Sequence, residues 1–159
     1  MTYSTLYQIC RNAGQKILES SEISSLCNAT FGRNIRVYIG GIDTYIVQPG
    51  ERYPYVLLSP NGSERTNGGR DATITAEVAI DAQKADDTSK GVAVSGVCEC
   101  GMGDVLGDLT NYVENIFWNG VGAIPDGSTT DFNLTVQYPI QSANIEFSFK
   151  DYETYNDTF

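Results

Sequence analysis

One stretch of this chain, Arg52 to Ala82, constrains its fold more than any other. It opens with the apolar run Tyr53-Pro54-Tyr55-Val56-Leu57-Leu58-Ser59 and closes with Ala72-Thr73-Ile74-Thr75-Ala76-Glu77-Val78-Ala79-Ile80-Asp81-Ala82. In the second run Ile74, Ala76, Val78, Ile80 and Ala82 share one face, and Thr73, Thr75, Glu77, Ala79 and Asp81 share the other. Side chains alternate faces along a strand, so this pattern predicts a half-buried antiparallel strand. Between the runs lies Pro60–Asp71, with Asn61-Gly62, Asn67-Gly68-Gly69 and the charges Glu64, Arg65 and Arg70. It reads as a long polar loop. The three pieces make a paired-strand unit that sets the fold and carries no chemistry of its own.

The flanks supply helices and further strands. Leu6, Ile9, Cys10, Ala13 and Ile17 fall on one face at 3/4 spacing, which predicts a helix over 4–19 with Ser4 as its N-cap. Gly14 weakens that helix by about 1 kcal/mol relative to Ala. Ser20–Asn34 is rich in Ser, Asn and Gly and reads as irregular, with Ile23 and Leu26 packing inward. Short strands are expected at Ile35–Ile39 and Tyr45–Val47, joined as a hairpin through Gly40–Asp43, and Pro49-Gly50 marks a turn. Lys84–Gly91 reads as a charged connector, and 92–100 as either an extended run or the entry to a helix. Val105, Leu106, Leu109, Tyr112, Val113, Ile116 and Phe117 then draw one apolar stripe. A helix over about 105–118 follows, suited to lying on a sheet, with Asp104 as N-cap and Asn119-Gly120 as its stop. Ala123–Asp131 reads as a loop. Phe132, Leu134, Val136 and Tyr138 alternate, as do Ala143, Ile145, Phe147 and Phe149, which predicts two late strands. Residues 151–159 are acidic and aromatic without a period, and read as a tail.

The chain has 159 residues and no internal repeat, which implies one domain over 1–150 followed by that tail. A chain of this length buries roughly 68–70% of its unfolded surface, enough for an apolar core without cross-links. The net charge of −10, from 20 acidic and 10 basic residues, argues against a protein that tracks nucleic-acid phosphates or anionic lipid. The 10 tyrosines suit either protein contacts or the surface of a β-rich domain. No basic and apolar leader opens the sequence, so Cys10, Cys27, Cys98 and Cys100 are expected as reduced thiols in a protein made in the cytoplasm. No run approaches the 18 apolar residues of a membrane-spanning helix.

Signals for catalysis are weak. With no histidine, Ser/His and Cys/His nucleophile systems and imidazole metal sites are ruled out. Cys98-Glu99-Cys100 is C-x-C, and adding Cys10 and Cys27 gives no zinc spacing. Asp86-Asp87 and the Asp104/Asp108 pair offer carboxylates, which read first as solvated turns and a helix face. Gly40-Gly41 and Gly101-Met102-Gly103 match no phosphate-binding loop. No enzyme activity, cofactor or metal is expected.

The order of elements, with the Tyr-Pro-Tyr-Val-Leu-Leu run, the loop, the long alternating strand and the amphipathic helix, resembles the tail-terminator (tail-completion, neck) proteins of tailed bacteriophages. The resemblance spans residues 3–118 in pattern and is specific around Tyr53–Ala82. The insert at Ala123–Thr130 and the two strands after the helix run longer than that pattern. The resemblance implies a structural virion protein of the tail or neck. It would form a ring of six copies on the last ring of the tail tube and face the head-side connector, with DNA passing through unbound. Its partners would be further copies of itself, the tube protein and the connector. Glu64, Arg65 and Arg70 are the candidate contacts to neighbouring copies or the tube.

The expected fold class is α+β: a mostly antiparallel sheet with two amphipathic helices packed on one face. Three other readings stay open. They are another connector or tube-related protein, a cytosolic binding module using the tyrosines, and a small hydrolase using acidic residues.

Overall fold

The computed structural model describes residues 3–43, 47–66, 69–84, 93–94, 97–98 and 101–151. The first helix, α1 (Tyr3–Glu19), buries Leu6, Ile9, Cys10, Ala13 and Ile17, the stripe read from the sequence. Ser4 lies inside the helix, not at its cap. Gly14 acquires a packing reason. A Cβ there would come within 3.1 Å of Val37 Cγ1, so glycine lets the helix lie close to the sheet.

The expected irregular stretch after Ser20 is a second helix, α2 (Ser21–Phe31). Ser20 caps it, its Oγ accepting from the Ile23 N–H at 3.3 Å. Gly32 closes it in the left-handed region at φ 74°, its N–H donating to the Asn28 carbonyl at 3.1 Å. Ile23, Cys27 and Thr30 face inward at helical spacing. Their apolar contact outweighs the low helix propensity of the Ser and Asn between them.

Strand β1 (Arg36–Ile39) pairs in parallel with β2 (Tyr55–Thr66), and most of the second strand of the expected hairpin beyond Gly40–Asp43 falls outside the described residues. Tyr45 and Ile46 lie outside the described residues, and Val47 donates back to the Asp43 carbonyl at 2.9 Å. A single 3₁₀ turn at Pro49–Glu51 precedes β2. The long strand β3 (Gly69–Asp81) runs antiparallel to β2. The loop expected over Pro60–Asp71 is therefore ladder on both sides, with a bulge between Pro60 and Gly62. The extra residue, Asn61, donates its side-chain amide to Thr75 Oγ1 across the ladder. The Asn61-Gly62 turn signal marks a bulge, and Asn67-Gly68 lies outside the described residues. The connector 85–92 lies outside the described residues. Beyond it, β4 (Ala93–Val94) and β5 (Val97–Cys98) form a short antiparallel pair.

The third helix, α3 (Gly103–Trp118), buries Val105, Leu106, Leu109, Val113 and Phe117. Asp104 sits in its first turn, favourably placed on the helix dipole, but Met102 occupies the N-cap. Strand β6 (Gly127–Asn133) and strand β7 (Ile140–Asp151) complete the sheet. The expected strand over Phe132–Tyr138 is displaced. Its partnered part ends at Asn133, because the chain must reverse to enter β7, and Leu134, Val136 and Tyr138 are left exposed in that turn. Part of the expected loop, Gly127–Asp131, is strand instead.

The five-stranded sheet has the order β1-β2-β3-β7-β6, antiparallel except for β1 with β2. The fold is α+β. The described residues hold three α-helices, one more than the sequence predicts. One contiguous core joins the helices to the even-numbered residues Ala72–Ala82 of β3 and its end, and to Ala143, Ile145, Phe147 and Phe149 of β7. At its centre Phe117 stacks on Phe147 with ring centroids 4.0 Å apart. The opposite, helix-free face presents Thr73, Thr75 and Glu77 of β3 with Asn144 and Glu146 of β7.

Candidate functional site

Glu64, Arg65 and Arg70 lie on an arm formed where β2 and β3 run on past β1. Glu64 and Arg65 are exposed. Arg65 stands directly opposite Arg70, and Glu64 directly opposite Asp71. Like charges facing each other across a ladder are unfavourable. The next strand meets each rank with the opposite sign, Asp151 beside Arg70 and Lys150 beside Asp71. Along the ladder the arm thus ranks residues of like charge opposite one another, Arg65 with Arg70 and Glu64 with Asp71.

At the other end of β2, polar groups converge around aromatic rings. Tyr55 is only 7% exposed although it faces away from the helices. Tyr38 packs edge-on against it at 5.9 Å, and Tyr53 lies 5.3 Å away. The Tyr55 hydroxyl donates to Glu77 Oε1. Burial first, and then this hydrogen bond to the carboxylate, push its pKa well above the usual phenol range. Arg33 donates through Nη2 to the carbonyls of Tyr53 and Glu51, the latter at 2.6 Å, and ties the crossover to the end of α2. Burial and the neighbouring Arg36 lower its pKa. Two buried polar atoms here have no partner, the Tyr38 hydroxyl and Arg52 Nε.

The opposite edge of the sheet has a different character. Residues 101–149 contain six acidic residues and neither Lys nor Arg. Glu114 of α3 accepts from Ser128 Oγ and Thr130 Oγ1, both at 3.2 Å, and Trp118 Nε1 donates to Ser128 Oγ at 3.1 Å. These bonds fasten edge strand β6 to α3. Beside them an open groove of about 260 Å³ runs along Gly107, Thr110, Asn111, Glu114, Thr130 and Phe132. Phe132 is 52% exposed on this edge.

The groups considered for chemistry are dispersed. Asp104 and Asp108 are exposed on α3, and Asp86, Asp87 and Cys100 lie outside the described residues. Cys10 and Cys27 are buried free thiols, pushed by burial to about 11 and about 12. That keeps them protonated and unreactive at neutral pH. Among the described residues no group of three or more Cys, Asp or Glu is placed to hold a metal ion, and no helix is long and apolar enough to cross a membrane.

The sequence reading missed the tyrosine and arginine cluster and the contrast between the sheet's two edges. The absence of any cation between residues 101 and 149 was the signal for the second. The chain matches no family model and no curated protein.

Proposed function

We propose that this chain is a structural virion protein of a tailed bacteriophage, a tail terminator. It would form a ring that caps the tail tube and joins it to the head-side connector. The observation that carries this reading is the placement of Arg65 and Arg70. A charge-ranked arm of β2 and β3, exposed at Glu64 and Arg65, reaches past the short edge strand β1. Such an arm suits contact with a neighbouring copy or with the last ring of the tube. The sequence resemblance around Tyr53–Ala82 falls on the same two strands. The net charge of −10 suits a passage that DNA crosses without binding.

Native mass spectrometry across a concentration series, with negative-stain imaging, tests the reading. A closed ring with a central opening is expected, of six copies if the resemblance holds. A strict monomer that also fails to cap tubes of the co-produced tube protein would refute it. Reversing both Arg65 and Arg70 to Glu is expected to weaken ring formation or capping. Unchanged assembly would remove the arm from the contact set.

A further inference from the structure

We infer that the two edges of the sheet that carry no partner strand among the described residues fit each other, so that β6 of one copy adds to β1 of a second copy, head to tail. The inference deepens the ring reading and rests on it for closure. The pairing itself follows from the sheet.

Strand direction comes first. β1, β2 and β7 run one way, and β3 and β6 run the other. A β6 placed beside the β1 of an identically oriented copy is therefore antiparallel to it, the better-bonded arrangement. In a parallel ladder alternate residues of a strand bond its neighbour. Arg36 and Gly40 donate to the β2 side, to the Pro54 and Leu58 carbonyls, so the Val37 and Ile39 amides point away from β2.

The levels also match. Following the register across the sheet, Arg36 is level with Tyr55, Ala79, Ser142 and finally Asn133. Ile39 is level with Leu58, Ala76, Ile145 and Thr130. A sideways step of one sheet width thus sets Thr130–Asn133 against Arg36–Ile39 with no slip along the strands. It also keeps faces together. Phe132 and Thr130 share the helix side with Val37 and Ile39, while Asp131 and Asn133 share the open side with Tyr38 and Arg36. The exposed Phe132 ring gains an apolar neighbour, and the Asp131 carboxylate comes level with the unpartnered Tyr38 hydroxyl, two residues along the same face from Arg36.

Charge selects a second copy and this pairing. The β1 end carries Arg33, Arg36 and Arg52 beside Asp43 and Glu51, a net positive set, whereas the β6 end carries Asp126 and Asp131 in a segment without cations. Joining β6 to β6 or β1 to β1 would set like charges together. A head-to-tail contact is heterologous, and such contacts make rings or filaments.

Two edge variants test this, Arg36→Glu and the pair Asp131→Arg with Phe132→Ser. Their folding is checked by circular dichroism and melting. Each alone is expected to raise the concentration for half-association by roughly tenfold or more. Mixed, they retain one intact β6 and one intact β1, so one-to-one pairs should form at concentrations where each variant alone stays monomeric. The double swap, Arg36→Glu with Asp131→Arg, should recover association. If the Asp131→Arg, Phe132→Ser variant fails to fold, hydrogen exchange on the wild type decides. Amide protection at 37–39 and 130–133 should rise with association.

A mixture that stays monomeric, an Arg36→Glu variant that pairs with itself, or a wild type that never associates overturns the inference. So does unchanged exchange at those residues. Rings that persist in both variants overturn the edge assignment and leave the terminator reading standing. Open filaments in place of rings, lost in both variants, support the edge pairing and count against the terminator.

Discussion

Gly101 is the position where one added carbon should cost most. Its φ is +80°, and a Cβ there would lie 2.5 Å from both the nitrogen and the oxygen of the Gln141 amide. Gln141 is buried; its Oε1 accepts from the Met102 N–H at 2.8 Å and its Nε2 donates to the Leu134 carbonyl at 3.3 Å. That amide joins the start of α3 to the turn between β6 and β7. In Gly101→Ala the left-handed backbone costs roughly 1–2 kcal/mol. Displacing the amide leaves a buried N–H unsatisfied, roughly 1–3 kcal/mol more. A loss of about 3 kcal/mol lowers Tm by roughly 6–12 °C for a chain of this length. Urea and thermal unfolding of Gly101→Ala, Gln141→Ala and the double variant give the cycle. With Gln141 truncated the clash is gone, so Gly101→Ala should then cost only the backbone part, about 1–2 kcal/mol. An equal cost in both backgrounds would refute the steric argument.

Three further outcomes are expected. Tyr55→Phe removes the hydrogen bond to Glu77 and should cost about 1.5–3 kcal/mol by urea unfolding, as for a bond to a charged group. Ser20→Ala should cost about 1 kcal/mol and raise hydrogen exchange in the first turn of α2, since it removes the acceptor for the Ile23 N–H. Cys10 and Cys27 should resist a thiol reagent at pH 8 until denaturant is added, as mapped by mass spectrometry. Because burial raises both thiols from 9.0 to about 11 and about 12, the unfolded chain ionises first. Their contribution is intact below pH 9 and is lost as pH rises through the folded values, so urea midpoints should fall above pH 9.

The sequence showed the core strands and two of the helices because their side chains repeat at one period. The β3 face Ile74–Ala82, the α1 stripe and five residues of the α3 stripe are buried where the alternation and the 3/4 spacing put them, with Tyr112 and Ile116 half-buried beside them. α2 was hidden by composition, although Ser20, Gly32 and the Ile23, Cys27, Thr30 spacing bracket it. The arm was hidden by its turn-like residues, since a bulge at Asn61 uses the same residue types as a loop. Phe132–Tyr138 misled in the opposite direction. Alternation records which side a residue would face, not whether a partner strand lies alongside. The three candidate charges were read into a loop, and which residues they stand opposite depends on a register the sequence does not state.

The neighbours β3 and β7 are far apart in the chain. The path from one to the other leaves and returns at a single point, where the Ala82 N–H meets the Pro139 carbonyl at 3.0 Å. Between the end of β3 at Asp81 and the start of β7 at Ile140 the ribosome must make almost 60 residues. At roughly 5–20 residues per second that takes about 3–12 s. Throughout that interval the β2–β3 hairpin can already close, while the β7 side of β3 is an unpaired apolar edge. An edge of that kind recruits other strands. The nascent chain is therefore most exposed to mispairing after its hairpin has formed and before its last strand emerges.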